Sequence, residues 1–156
     1  MTNLSVNVNK IAWLRNARGE DRPNLLELSK ILIDCGVHGL TVHPRPDLRH
    51  ITPDDVYNLS DLCVRSGVEF NIEGNPYSEK TEIYPGFINL IKEVKPDQCT
   101  LVPDSPEQLT SDHGWQIEGK DHNIVRNIVE ELQGEDTRIS FFVDPDLDQI
   151  NTIKEL

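Results

Sequence analysis

The chain has 156 residues, 37% of them hydrophobic and 27% charged, with 15 Lys/Arg against 27 Asp/Glu for a formal net charge of -12. That length fits one domain with a real core and little more, and the composition is that of an ordinary globular protein. Such an acidic balance argues against nucleic acid or an anionic membrane surface as partner, and no apolar run approaches the length of a bilayer span.

In chain order, Leu4 to Asn9 reads as a first strand and Leu14 to Gly19 as the loop after it. Residues 23–35 read as a helix: Leu25, Leu28, Ile31 and Leu32 share a face, Pro23 suits the first turn, and Gly36 ends it. Gly39 to His43 is an apolar run typical of a buried second strand. Thr52 to Ser66 is a helix opening on a Thr52 cap, Pro53 and two acids, and closed by Gly67. Val68 to Glu73 is the third strand. Thr81 to Val94 is a helix whose start Pro85 and Gly86 would delay and which Lys95-Pro96 stops. Gln98 to Pro103 is the fourth strand, followed by a long loop from Asp104 to about Lys120. Asp121 to Gln133 is a helix, Arg138 to Asp144 the fifth strand, and Asp146 to Leu156 a last helix.

Five βα units in succession predict an α/β domain with a parallel sheet. An open doubly wound sheet and a (β/α)8 TIM barrel both use this order. The last helix runs to residue 156 without a capping glycine, which favours a single domain over 1–156 that forms part of a barrel. The N-terminus lacks a basic segment followed by an apolar one, and Cys35, Cys63 and Cys99 have neither metal nor redox spacing. Reduced, buried thiols in a cytoplasmic protein are expected.

Both architectures place ligands at the carboxyl ends of the strands. The exit of the second strand holds His43, Arg45, Arg49 and His50 within eight positions, although residues 51–156 carry a net charge of -14. Cationic groups gathered there suit a small anion, phosphate above all, because Arg binds it through two parallel bonds and His can also move protons. His43 alone would pass for a hydrogen-bonded rim residue. Glu73 ends a strand with apolar Phe70 and Ile72, where a carboxyl can acquire a raised pKa and shuttle protons; a plain strand-end acid is the alternative. Asn7 and Asn9, two apart, would point the same way from the first strand toward a substrate. Lys10 is a phosphate ligand, a Schiff-base amine or a surface lysine, and Arg18 before Gly19 looks like an anion clamp or a surface charge flanking a helix. No zinc-ligand spacing, Gly-rich phosphate loop or nucleophile elbow occurs.

The segments Asn7 to Gly19, Thr41 to Ile51, Phe70 to Glu73 and Leu101 to Pro103 together resemble the pyridoxine 5'-phosphate synthase family, over essentially the whole chain but only the first five of that family's eight barrel units. The resemblance implies a cofactor- and metal-free enzyme of vitamin B6 biosynthesis. It would condense 3-amino-2-oxopropyl phosphate with 1-deoxy-D-xylulose 5-phosphate to pyridoxine 5'-phosphate, phosphate and water. It makes His43 and Glu73 proton acceptors. Asn7 and Arg18 would hold the aminoketone phosphate, and Arg45, His50 and Thr110 the sugar phosphate, with Thr110 in a loop that closes over the site. Asn9-Lys10 stands where the family more often has Asp-His at the sugar phosphate. A third proton-transfer histidine and a second, glycine-rich phosphate site are expected beyond residue 156. The family's partners are these small phosphorylated substrates and further copies of itself, as an octamer. A non-catalytic anion-binding module on an open sheet, or another phosphosugar barrel enzyme such as an isomerase or aldolase, are the rival readings.

Overall fold

A computed structural model of the protein describes residues 2–105, 107–118, 120–134 and 136–156. The elements are β1 (Ser5–Asn7), α1 (Asn9–Arg18), α2 (Leu25–Asp34), β2 (Gly39–Val42), α3 (Pro53–Ser66), β3 (Glu69–Gly74), α4 (Phe87–Val94), β4 (Gln98–Leu101), α5 (Lys120–Gln133), β5 (Arg138–Phe141) and α6 (Leu147–Lys154). The five strands form one parallel sheet in the order β1-β2-β3-β4-β5. A doubly wound sheet reverses its order at a switch point, and this sheet does not. With uniform crossover handedness, a sequential order lays every helix on the same face. The arrangement is consistent with part of a (β/α)8 barrel.

Local chemistry explains most element boundaries. Thr52 and Asp55 form a reciprocal capping box at α3, Pro53 occupies its first position, and Gly67 ends it at φ 65, where a Cβ would be strained. Asn24, rather than Pro23, caps α2 by accepting from the Glu27 N–H at 2.9 Å. Asp146 caps α6, which ends at Lys154 and not at residue 156. α4 begins at Phe87 because a turn uses the preceding residues: the Thr81 N–H donates to the Tyr84 carbonyl, and Thr81 Oγ1 accepts from the Ile83 and Tyr84 N–H groups.

Two expectations need correction. The segment after β1 is a helix, α1, so Asn9 and Lys10 belong to its first turn and not to a strand end. Its apolar residues form no stripe: Trp13 and Leu14 are exposed, and Ala12 alone is fully buried. Tertiary bonds hold it instead. Asn16 Nδ2 donates to the His50 carbonyl at 2.8 Å, and Arg15 grips Asp55 of α3 with two bonds of 2.6 and 2.8 Å. Second, Cys35 caps the C-terminus of α2 and is exposed, whereas Cys63 and Cys99 are buried.

The two faces of the sheet differ in kind. Leu40, Val42, Phe70, Ile72, Cys99 and Leu101 pack against Val56, Leu59 and Cys63 of α3, Phe87, Leu90 and Ile91 of α4, and Val125, Val129 and Leu132 of α5. Alternation turns the intervening residues to the opposite face, and these are polar. Ser5 and Thr41 hydroxyls meet at 2.8 Å. Asn71 donates to Thr41 at 3.3 Å and accepts from Thr100 at 3.0 Å, and Thr100 meets Ser140 at 2.7 Å. A ladder of hydroxyls and one amide thus crosses all five strands. Parallel sheets usually place Val, Ile and Leu on both faces; here each buried polar group on the inner face is satisfied by the next strand.

Candidate active site

Sheet order brings the carboxyl ends of neighbouring strands together, and with them the polar residues that follow each strand. From the β1 end, Asn7 reaches two ways: its Oδ1 accepts from the Asn9 N–H at 2.9 Å, starting α1, and its Nδ2 lies 3.4 Å from Glu73 Oε2. Asn9 Oδ1 accepts from the His43 N–H at 2.9 Å, which ties α1 to the exit of β2. His43 and Arg45 follow β2 and are both 6% exposed, which is unusual for a strand exit and calls for partners. The rest of that loop is braced from below by Arg15 and Asn16, and Leu48 takes the left-handed φ of 53.

The partner of Arg45 is Asp104, just past β4. Its Oδ2 accepts from Arg45 Nη2 and from the Ser111 hydroxyl at 2.9 Å, and lies 3.4 Å from His43 Nε2. Residues 105 and 107–113 form a strap across the carboxyl ends of the strands. Arg45 and Arg49 both donate to the Gln108 carbonyl, at 3.1 and 2.9 Å. The strap's far end is fixed where Gly114 N–H donates to Asp144 at 3.0 Å, Trp115 N–H to the Phe142 carbonyl at 3.0 Å, and the Trp115 indole to the Leu101 carbonyl at 2.8 Å.

Beneath the strap lies a cavity of about 490 Å3, a size suited to small molecules. Besides Arg49, eight of the nine other residues singled out from the sequence line it: Asn7, Asn9, Lys10, His43, Arg45, His50, Glu73 and Thr110. His43 and Glu73 therefore share one chamber. Arg18, in the last turn of α1, is exposed and does not line it. Arg49, Trp13, Ser111 and Phe142 complete parts of the wall.

The electrostatics follow from this crowding. Burial, then the positive charges of Arg45, His50 and Arg49, lower the His43 pKa to about 3. Burial, Arg45 and Arg49 likewise lower His50 to about 4. Both rings are neutral at pH 7, so the His43–Asp104 contact is not an ion pair. The Ile51 N–H donates to His50 Nδ1 at 2.9 Å, which leaves the His50 proton on Nε2. Glu73 moves the other way. Burial and the negative charge of Asp104 raise it to about 7, against a smaller lowering from the Asn7 amide. A carboxyl that is half protonated near neutrality can both accept and return a proton.

Sequence reasoning gave Asp104 no role, though an acid immediately after a strand was visible, and it assigned nothing to Ser111. Asn9, expected to face a substrate, spends its carbonyl oxygen on the His43 backbone. Among the described residues no three His, Cys, Asp or Glu side chains gather as they would around a metal ion, and no helix is long and apolar enough to cross a membrane.

A family model described as "Pyridoxal phosphate biosynthesis protein PdxJ" matches residues 4–156. Proteins named pyridoxine 5'-phosphate synthase from Xylella fastidiosa (strain 9a5c) and Xanthomonas campestris pv. campestris (strain B100) are each 50% identical over 143 residues, 92% of this chain and 55% and 56% of theirs. The synthase of Xanthomonas axonopodis pv. citri (strain 306) is 47% identical over 155 residues, 97% of this chain and 60% of its own. The chain thus spans little more than half the length of the curated relatives it matches. With a family match that runs from β1 through α6, the chain belongs to the PdxJ family of pyridoxal phosphate biosynthesis proteins.

Proposed function

We propose that these residues are the first five units of a (β/α)8 barrel that condenses 3-amino-2-oxopropyl phosphate with 1-deoxy-D-xylulose 5-phosphate, giving pyridoxine 5'-phosphate, inorganic phosphate and water. The observation that carries this reading is the shared cavity of His43 and Glu73, walled by Arg45, Arg49 and His50. The substrate amine must be neutral to attack the sugar ketone, and Glu73, near its midpoint at pH 7, takes up that proton. His43 enters as a neutral imidazole. The dianionic phosphate of a bound substrate offsets the cationic neighbours that depress it, so its basicity rises when there is a proton to move.

Arg45, His50, Lys10 and Thr110 hold the phosphate ends, which aligns two reactants that would otherwise meet at random. The strap over the cavity keeps imine and enamine intermediates from water. In this reading Arg18 comes to the aminoketone phosphate only through movement of the end of α1. The protein works in the cytoplasm on small phosphorylated substrates, as a homo-oligomer. Incubation of the full-length protein with both substrates tests the proposal. Inorganic phosphate and pyridoxine 5'-phosphate should form only when both are present. Turnover of either substrate alone would point instead to a phosphosugar isomerase or aldolase.

A further inference from the structure

We propose that Asp104 is a positioning residue of this site: its one carboxylate holds Arg45, the His43 ring and the Ser111 hydroxyl together, so that the strap and the proton-moving imidazole are set by the same group. The inference rests on the reading above that His43 and Glu73 move protons.

Three contacts converge on Asp104 Oδ2, from Arg45, from Ser111 at 2.9 Å and from His43 Nε2 at 3.4 Å. Asp104 is 5% exposed, and its Oδ1 is buried with no donor in reach among the described residues. Its backbone carbonyl accepts from the Asn75 amide beyond β3, which ties the Asp104 backbone to a second element. A buried acid with one guanidinium and a spare oxygen costs stability unless that oxygen finds a proton. The His43 Nε2 proton faces the other oxygen, Oδ2, at 3.4 Å, beside the Arg45 and Ser111 donors. Its donation to Asp104 leaves the lone pair on Nδ1 and fixes the tautomer.

Asp104 also faces Glu73 electrostatically. The charged or titratable groups turned toward this pair are Arg45 and His43 at the β2 exit, Arg49 and His50 farther along that loop, and Lys10 of α1. Asp104 supplies the acidic charge that opposes ionisation of Glu73. Its neutralisation would remove that opposition and leave Arg45 without its carboxylate partner, and both changes favour the Glu73 carboxylate.

The test uses the full-length protein with 13C-labelled glutamate carboxyls. In Asp104→Asn, the Glu73 titration midpoint should fall by about one pH unit, and the acid limb of kcat should move down with it. Asp104→Glu, which keeps the charge on a longer arm, should keep the midpoint within about 0.3 unit yet lose about tenfold in kcat, because His43 and Arg45 are no longer held at the right depth. An unmoved Glu73 midpoint in a folded Asp104→Asn protein overturns the inference, since a purely structural role would not shift it. If Asp104→Asn does not fold, an undiminished kcat in Asp104→Glu overturns it. The carboxyl titration needs no substrate. A wild type that makes no pyridoxine 5'-phosphate therefore sinks the proposed reaction, whereas the midpoint comparison judges Asp104 separately.

Discussion

Glu73 and the two histidines pull the pH dependence of stability in opposite directions. The folded-state pKa of Glu73 is raised to about 7 from 4.5, so its contribution is complete below pH 4.5 and lost as pH rises through 7. Glu73→Gln should therefore be more stable than wild type at pH 8, by about 2 kcal/mol in urea unfolding, while turnover falls about 10³-fold. Near-normal turnover would remove Glu73 from the mechanism. His43 and His50 are lowered to about 3 and about 4, so their contribution is intact above pH 6.5 and lost as pH falls toward those values. His50→Asn should lose less stability than wild type between pH 7 and pH 5, by about 1 kcal/mol after allowance for partial solvent screening. Proton uptake on phosphate binding should accompany these depressed values, read by calorimetry in buffers of different ionisation enthalpy. At this scale the sequence was informative where a side chain's type already limits its chemistry. Clustered His and Arg after an apolar strand, and a glutamate at the next strand's end, announced themselves. Asp104 stood among the strand-end residues without a role, because nothing in a string of letters tells which of 27 acids is buried against an arginine.

Elements were readable to the extent that their ends carry caps. α3 was recognised almost to the residue because Thr52, Pro53 and Gly67 mark its limits. Thr52→Ala should cost about 1 kcal/mol of stability, measured by thermal or urea unfolding, because two backbone and side-chain bonds at the cap go with it. α1 was missed because no 3.6-residue stripe exists in it; it owes its place to Arg15 and Asn16, whose partners lie more than 30 residues away. The strap between β4 and α5 has no regular structure among its described residues and still has a defined anchor. A Cβ at Gly114 would sit 2.3 Å from the Asp144 backbone nitrogen and 2.5 Å from Val143, which no side-chain motion relieves. Gly114→Ala should release the strap from β5. The expected readout is faster proteolysis within 107–113 and a KM for the two proposed substrates raised about tenfold or more, with the melting temperature much less affected.

Across the whole molecule, a single parallel sheet separates an oily layer from a polar one. The helix-facing layer follows from the alternation of Leu40, Val42, Phe70 and Ile72 and was legible as strand signal. The hydroxyl and amide ladder on the other face was not. Short polar residues in a strand look like solvent exposure until their cross-strand partners are known. Thr100→Val tests its worth: shape is kept while Asn71 and Ser140 lose a partner, so unfolding free energy should drop by about 1–3 kcal/mol. The outer edges of β1 and β5 have no strand partner among the described residues. A polypeptide limited to residues 1–156 should therefore self-associate in sedimentation, through the open edges, and give no turnover.

The Gln108 carbonyl that Arg45 and Arg49 share has a last consequence for how tightly any anion can be held. It is a built-in competitor: a peptide oxygen occupies guanidinium protons that a phosphoryl oxygen would claim. Apparent affinity must then be the intrinsic affinity discounted by the fraction of time the carbonyl stays away. Arrival of the ligand and detachment of that peptide are one exchange of acceptors, and departure of the ligand is helped by the same replacement waiting nearby.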